Sequence, residues 1–248
     1  MRAQELSNSH QQRLATVNLF PQDATQTPGE LWSTLTRRPI ESPLPVGGFW
    51  KRAIDIVVAA LALVLLSPLM VFVAVLIRLT MGRPVLLGHN RIGHEGRAFR
   101  CYKFRTMIVE ADEALRQYLA SNPQAEKEWR ETHKLRNDPR ITPLGRLLRK
   151  SSIDELPQLV NVLRGDMSCV GPRPIVADEL ARYGNNAADY LQARPGLTGA
   201  WQVSGRTSLR YADRVALDAE YVRHWSLWKD FLILVETIPA VMHFDDVS

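Results

Sequence analysis

The sequence predicts a membrane-seated, helix-rich protein with a few short strands, and three observations carry that prediction. One apolar run, Ile54 to Ile77, is long enough to lie in lipid; basic residues stand on both its flanks; the remainder alternates charged, helix-favouring runs with short strand-like ones. At 248 residues and 46% hydrophobic, the chain has one such run plus material for a single globular domain of about 150 to 190 residues. It is not a transporter of many spans.

A straight helix of about 22 residues like those of the run covers roughly 33 Å, against a hydrocarbon core of about 30 Å. Its only ionisable residue, Asp55, stands at the edge. Ser67-Pro68 lies at the centre: Pro68 cannot donate to the carbonyl of Val64, and the Ser67 hydroxyl can bond the freed oxygen. A kink is expected there. Each half, roughly 12 residues or about 18 Å, is too short to cross, so a sharp bend gives a re-entrant hairpin that returns to the face it entered. Lys51 and Arg52 precede the run, and Arg78, Arg83, Arg91, Arg97, Arg100, Lys103 and Arg105 follow it. Neither flank is therefore the side poor in basic residues that a spanning helix leaves outside. On the residues alone a single-pass anchor stays open, since proline occurs in spanning helices.

Between Lys51 and Arg105 there are nine Lys/Arg and two Asp/Glu, a local +7 against a whole-chain +5. The basicity is local. Such a belt beside a membrane segment suits anionic head groups or phosphate-bearing substrates. A nucleic-acid surface is the alternative, but no helix-turn-helix, finger or RNA-recognition pattern supports it. Cys101 and Cys169 lie far apart and outside any C-x-x-C arrangement, which fits unpaired thiols in a reducing cytosol. The apolar run follows no cleavable signal pattern, so it is retained.

Taken in order, residues 1–48 read as a mostly disordered polar leader. Residues 49–80 form the membrane helix-break-helix, and residues 81–248 the globular domain. Val85 to Gly88 and Arg97 to Phe104 resemble two strands around a Gly93 to Gly96 turn. Glu110 to Ala120 and Pro123 to Lys134 favour helix, with Asn122 capping the second. Thr142-Pro143 opens a helix with Leu144, Leu147 and Leu148 on one face and Arg146, Arg149 and Lys150 on the other, able to lie on a membrane.

Ser151 to Pro174, SSIDELPQLVNVLRGDMSCVGPRP, gives a short helix ending at Arg164-Gly165 and a brief strand, Ser168 to Val170. Ser152-x-x-Glu155 fits a capping box, in which Asp154 and Glu155 merely complement the helix macrodipole. The chemical reading rests on what flanks the pair. A cationic run precedes it and Arg173 follows, the composition needed to hold a phosphoryl group beside a carboxylate. Asp is a covalent nucleophile in phosphoryl transfer, and Mg²⁺ at an adjacent carboxylate would offset repulsion between two anions.

Arg194 to Arg206, RPGLTGAWQVSGR, implies tight turns and close backbone approach, with a ligand as one candidate neighbour. It is neither a Walker A motif nor a strand-linked G-x-G-x-x-G. Tyr211 to His224 reads as a helix, and Trp225 to Val235 as an aromatic-led apolar helix, seated in the core or at a lipid interface.

With KRAIDIVVAALALVLLSP, GHNRIGHEGRAFRCYKFRTM, SSIDELPQLVNVLRGDMSCVGPRP, RPGLTGAWQVSGR and YVRHWSLWKDFLIL in that order, the chain resembles the bacterial sugar transferases, the monotopic phosphoglycosyl transferases, from about Lys51 to His243. Its nearest likeness is to the short exopolysaccharide galactosyl-phosphate transferases. The resemblance implies an α/β, helix-rich fold: a monotopic membrane protein with a re-entrant N-terminal helix broken at Ser67-Pro68 and a cytosolic catalytic domain with interfacial amphipathic helices. It implies transfer of a sugar 1-phosphate from a UDP-sugar to undecaprenyl phosphate, releasing UMP, at the cytoplasmic face of the bacterial inner membrane. Asp154 is then the nucleophile and Glu155 its partner, the two holding Mg²⁺. Lys103, Arg105, Arg149, Arg173 and Arg206 take substrate and phosphate. Inner-membrane lipids are partners, nucleic acid is not, and a homo-oligomer is left open. Ala200 and His224 depart from the family's pattern, where a larger apolar residue and Asn are expected, and the hexose stays undetermined. Two rival classes are a non-catalytic membrane scaffold, which needs neither the dyad nor Arg173, and a polytopic sugar-phosphate transferase, which needs many spans.

Overall fold

The computed structural model describes residues 44–132, 135–204 and 209–242. The leader reading for residues 1–43 lies outside them.

Helix α1, Gly48–Thr80, is 33 residues long with Pro68 inside it. Helical backbone runs through Ser67 and Pro68 without interruption, so the break expected there is at most a bend within one helix. The local chemistry is as the sequence requires: the Ser67 hydroxyl donates to the Val64 carbonyl at 2.9 Å, taking the acceptor that proline leaves unbonded. The middle of α1 is bare. Of its most apolar 18 residues only 11% are buried, and Leu61, Val64, Leu65 and Phe72 are all exposed.

Both ends of α1, by contrast, are fastened to the globular body. At the start, Lys51 Nζ meets Asp230 Oδ2 at 2.6 Å. Arg52 donates to the carbonyls of Val162 and Leu163, and Asp55 Oδ1 accepts from the Ser168 hydroxyl and the Cys169 N–H, both at 3.0 Å. At the end, Val73 and Ile77 pack with Phe104 and Leu148. Arg105 caps this end by donating to the carbonyls of Met81, Gly82 and Arg83.

After α1 come β1, Leu86–Ile92, and β2, Ala98–Phe104, an antiparallel hairpin in the register Leu87↔Lys103, His89↔Cys101, Arg91↔Phe99. The strands match the expected pair, the first being longer than expected. Helices α2, Ala111–Ser121, and α3, Pro123–Thr132, follow, with Asn122 Oδ1 accepting from the Ala125 N–H as the expected cap. Helix α4, Pro143–Lys150, starts at Thr142, whose hydroxyl accepts from the Gly145 N–H at 2.9 Å. Its faces differ from expectation. Leu147 points out while Arg149 turns inward, its Nε donating to the Thr106 hydroxyl at 2.9 Å.

Helix α5, Gln158–Arg164, stops at Gly165, which adopts a left-handed φ of 92° as a helix-ending glycine does. Strand β3, Ser168–Val170, pairs in parallel with β4, Gly196–Thr198. The glycines here allow the close backbone approach expected: a Cβ on Gly196 would stand 2.2 Å from the Gly171 nitrogen. Between the two strands lie α6, Ala177–Leu180, and α7, Ala187–Gln192. Beyond β4 lie α8, Ala200–Val203, α9, Tyr211–Arg223, and α10, Leu227–Met242.

The main core joins α1 to the rest: Ala59 packs with Cys101, Leu159, Val162, Met167, Val170, Tyr221 and Ile233. It crosses the division drawn at residue 80. Both cysteines are free and buried. On α10, Ile233 is buried while Trp228, Phe231, Val235 and Ile238 are exposed, with Trp228 and Phe231 stacked at 5.3 Å. Apolar surface of that kind suits a lipid boundary, as does the bare middle of α1.

Candidate active site

The dyad sits on a single 3₁₀ turn, Ile153–Glu155, wedged between α4 and α5. Ser152, just before it, holds φ 55°, a left-handed conformation that costs a side-chain-bearing residue free energy. The expected capping box does not form. Ser152 makes no side-chain cap, and the Glu155 carboxylate is drawn instead to Lys103, Nζ to Oε1 2.6 Å.

Lys103 comes from β2, and strand alternation decides what accompanies it. Residues two apart share a face, and so do residues directly opposite across a hairpin. The register therefore puts Lys103, Cys101, His89 and Arg91 on one side of the hairpin. A cleft opens there, lined by Arg91, Cys101, Lys103, Glu155, Gln158 and Arg173 together with Pro174, Gly196, Leu197 and Gln202. Its charge is felt nearby. The His89 imidazole is pushed down by burial and by Arg91, Lys103 and Arg149.

Asp154, next in the chain to Glu155, is buried and is not among the residues that line the cleft. Burial first, and then the Glu155 charge, push its carboxyl up to about 6, against the opposing pull of Lys103 and Arg149. Arg149 is itself pushed down by burial and held up by Asp154 and Asp138.

Of the expected binding cations, the structure brings Lys103 and Arg173 to the cleft and Arg149 to the flank of Asp154. Arg173 is exposed, its guanidinium 5.5 Å from the Trp201 ring, with Arg214 4.9 Å from that ring's centre. Arg105 is elsewhere: it is 2% exposed, its guanidinium engaged by three backbone carbonyls at the end of α1. Arg206 lies outside the described residues. Ser67 and Pro68 belong to α1 and do not line the cleft.

Sequence reading missed Arg91, Gln158, Gln202 and Asp218. Strand alternation would have found Arg91 once the hairpin register was known. Asp218 on α9 is buried and accepts from the Tyr183 hydroxyl at 3.0 Å. Burial pushes its carboxyl up to about 7, against the pull of Tyr183 and of Arg173, so a hidden acid stands beneath the cleft's exposed guanidinium.

For metal, the described residues hold no cluster of three or more His, Cys, Asp or Glu side chains able to ligate an ion. The donor set offered is the Asp154–Glu155 pair. Two carboxylates suffice for Mg²⁺ where water and substrate phosphates complete the shell.

A family model described as bacterial sugar transferase matches residues 46–244. The chain belongs to that family. This sugar transferase is 53% identical over 197 residues to the exopolysaccharide production protein ExoY of Rhizobium meliloti, covering 79% of this chain and 87% of that one. It is 50% identical over 197 residues to the undecaprenyl-phosphate galactose phosphotransferase of Salmonella typhimurium, covering 79% of this chain and 41% of that protein. Over 222 residues it is 40% identical to the UDP-glucose:undecaprenyl-phosphate glucose-1-phosphate transferase of Caulobacter vibrioides, covering 86% of this chain and 77% of the other. The match begins within two residues of the start of α1 and takes in every element of the sugar transferase described above.

Proposed function

We propose that this sugar transferase moves a sugar 1-phosphate, galactose or glucose 1-phosphate, from a UDP-sugar to undecaprenyl phosphate, initiating exopolysaccharide or capsule synthesis. The observation that carries the reading is the Asp154–Glu155 pair beside a cleft bearing Lys103, Arg91 and Arg173. Relatives at 50% and 40% identity are named for transfers of this type, with galactose in one and glucose in the other.

In the reaction, an Asp154 carboxylate oxygen bonds to the phosphorus that carries the hexose, and the bond from that phosphorus to the bridging oxygen breaks, releasing UMP. An oxygen of undecaprenyl phosphate then attacks the same phosphorus, restoring free Asp154. Lys103 and Arg173 hold the anionic groups by charge-assisted hydrogen bonds. Burial keeps Asp154 poorly solvated, which raises its basicity and hence its nucleophilic strength once ionised. Mg²⁺, held by Asp154 and Glu155, would supply charge neutralisation on the diphosphate.

The membrane helix is read as re-entrant, at the cytoplasmic face of the inner membrane. A spanning helix parts its two ends by the bilayer. Here Lys51 and Asp55 at one end, and Ile77 and Met81 at the other, are all held by the same globular body. Cysteine reporters at residues 47 and 82 should label from the same side of the membrane; labelling from opposite sides overturns the re-entrant reading.

The reaction is tested by incubating the protein with UDP-galactose or UDP-glucose and no lipid acceptor. UMP should appear once, in an amount no greater than the enzyme, with a hexose-phosphate adduct on the Asp154 peptide. UMP that forms only when both substrates are present would sink the covalent route.

A further inference from the structure

Two side-chain amides line the cleft, Gln158 and Gln202. Gln158, three residues beyond Glu155 and the first residue of α5, is 2% exposed and lines the cleft. Gln202 on α8 lines the same cleft. Its Nε2 donates to the Leu197 carbonyl at 3.3 Å, which fixes the amide's orientation. Its Oε1 is buried and meets no donor among the described residues. Gly199 leaves that oxygen room, since a Cβ there would stand 3.1 Å from it. Buried amides are nearly always bonded in native proteins, so the unpaired oxygen of Gln202, on a side chain lining the cleft, points to a ligand there.

The chemistry of the wall divides the work. Arg91, Lys103 and Arg173 suit phosphate oxygens, whereas a neutral amide offers both donors and acceptors and suits neutral hydroxyl groups. Position narrows the choice further. The hexose is bonded to the phosphorus that Asp154 attacks, while the uracil is removed from it by a second phosphate and a ribose. A side chain one turn beyond Glu155 is thus placed for the hexose.

We propose that Gln158 and Gln202 read the hydroxyl groups of the donor hexose and so set which UDP-sugar is used. This rests on the sugar-phosphate transfer proposed above. An unbonded buried amide discriminates strongly, because a sugar that lacks the matching hydroxyl leaves the amide unpaired.

The test uses the full-length protein in lipid nanodiscs with undecaprenyl phosphate, and reads UMP release from UDP-galactose, UDP-glucose and each of their monodeoxy-hexose analogues. For the parent protein, removing one hexose hydroxyl should lower kcat/KM by about tenfold to a hundredfold. Gln158→Met or Gln202→Met should lose a similar factor on the parent sugar, yet lose nothing more on the deoxy sugar whose hydroxyl it read. Equal losses on every donor, or none, would overturn the proposal. If the Met variants fail to fold, the parent protein still decides: rates indifferent to every hexose hydroxyl overturn it, and a steep loss at one position supports it. Should the parent release no UMP from either UDP-sugar, the transfer reading itself falls, and this assignment with it.

Discussion

Two ion pairs of identical length do opposite jobs in this molecule. Lys51–Asp230 and Lys103–Glu155 both close to 2.6 Å. The first is sealed, its side chains 8% and 11% exposed, and Asp230 also accepts from the Tyr221 hydroxyl and the Trp225 indole. The second is 22% and 24% exposed and faces the cleft, beside a carboxyl that burial has made hard to ionise. Distance therefore says nothing about role. What separates the pairs is exposure: the sealed pair holds α1 to α10, while the open pair stands in the wall of the cleft, where a ligand can reach it.

The comparison is broken most severely at the dyad. Asp154→Asn should cut UMP release on the order of a thousandfold or more and leave thermal unfolding unchanged or slightly raised, since a neutral amide is cheaper to bury than a carboxylate. Asp230→Ala should do the reverse. It strands Lys51 without its partner, so denaturant unfolding should show a loss of about 3–5 kcal/mol, with activity falling only as the folded fraction falls. A stable Asp230→Ala protein would erase the distinction drawn here.

Lys103→Met tests the open pair. UMP release should drop roughly tenfold to a hundredfold, while the change in unfolding free energy stays within about 1 kcal/mol, as for other partly exposed pairs.

Acidity gives a fourth measurement. The Asp154 carboxyl must be ionised to attack, so kcat/KM should rise with pH through an inflection near 6. Glu155→Gln, by removing the like charge, should move that inflection down. The stability effect has the opposite sign: between the ordinary carboxyl value of 3.8 and about 6 the folded protein holds this proton more tightly than the unfolded chain. Stability therefore falls as pH rises through that window, and Asp154→Asn should flatten the slope.

The smallest effect is expected at Ser67. Ser67→Ala removes one hydrogen bond to the Val64 carbonyl, worth about 1 kcal/mol. It should shift the proportion of protein with both ends of α1 labelled from one side, without touching turnover.

Much of the fold was legible because its signals are local. Thr142, Asn122 and Gly165 start or stop helices by bonding their own neighbours or by a conformation of their own backbone, and each does so where the sequence indicated. The strand at Ser168–Val170 was legible for the same reason. The site was legible only in part. Ser152 and Glu155 carry the letters of a capping box, yet Lys103, 52 residues away, takes the carboxylate. Arg149 sits on the polar side of its helix in the sequence, but Thr106 draws it in. Arg105 has the charge to bind phosphate, and three carbonyls at the end of α1 claim it instead. In each case a distant partner outweighs a local pattern, and no single-sequence periodicity encodes that partner.

The core's passage across residue 80 has a practical consequence for anyone wishing to handle this protein in water. Deleting the membrane helix to obtain a soluble enzyme would remove Ala59, Val73 and Ile77 from two hydrophobic clusters. It would also leave Asp230 without its lysine and strip the Ser168 hydroxyl and the Cys169 N–H of the Asp55 oxygen they share. Such a truncation should yield aggregated material. Solubilisation is better sought by replacing outward-facing residues such as Leu61, Val64, Leu65 and Phe72 with polar ones, keeping the helix in place as a structural strut.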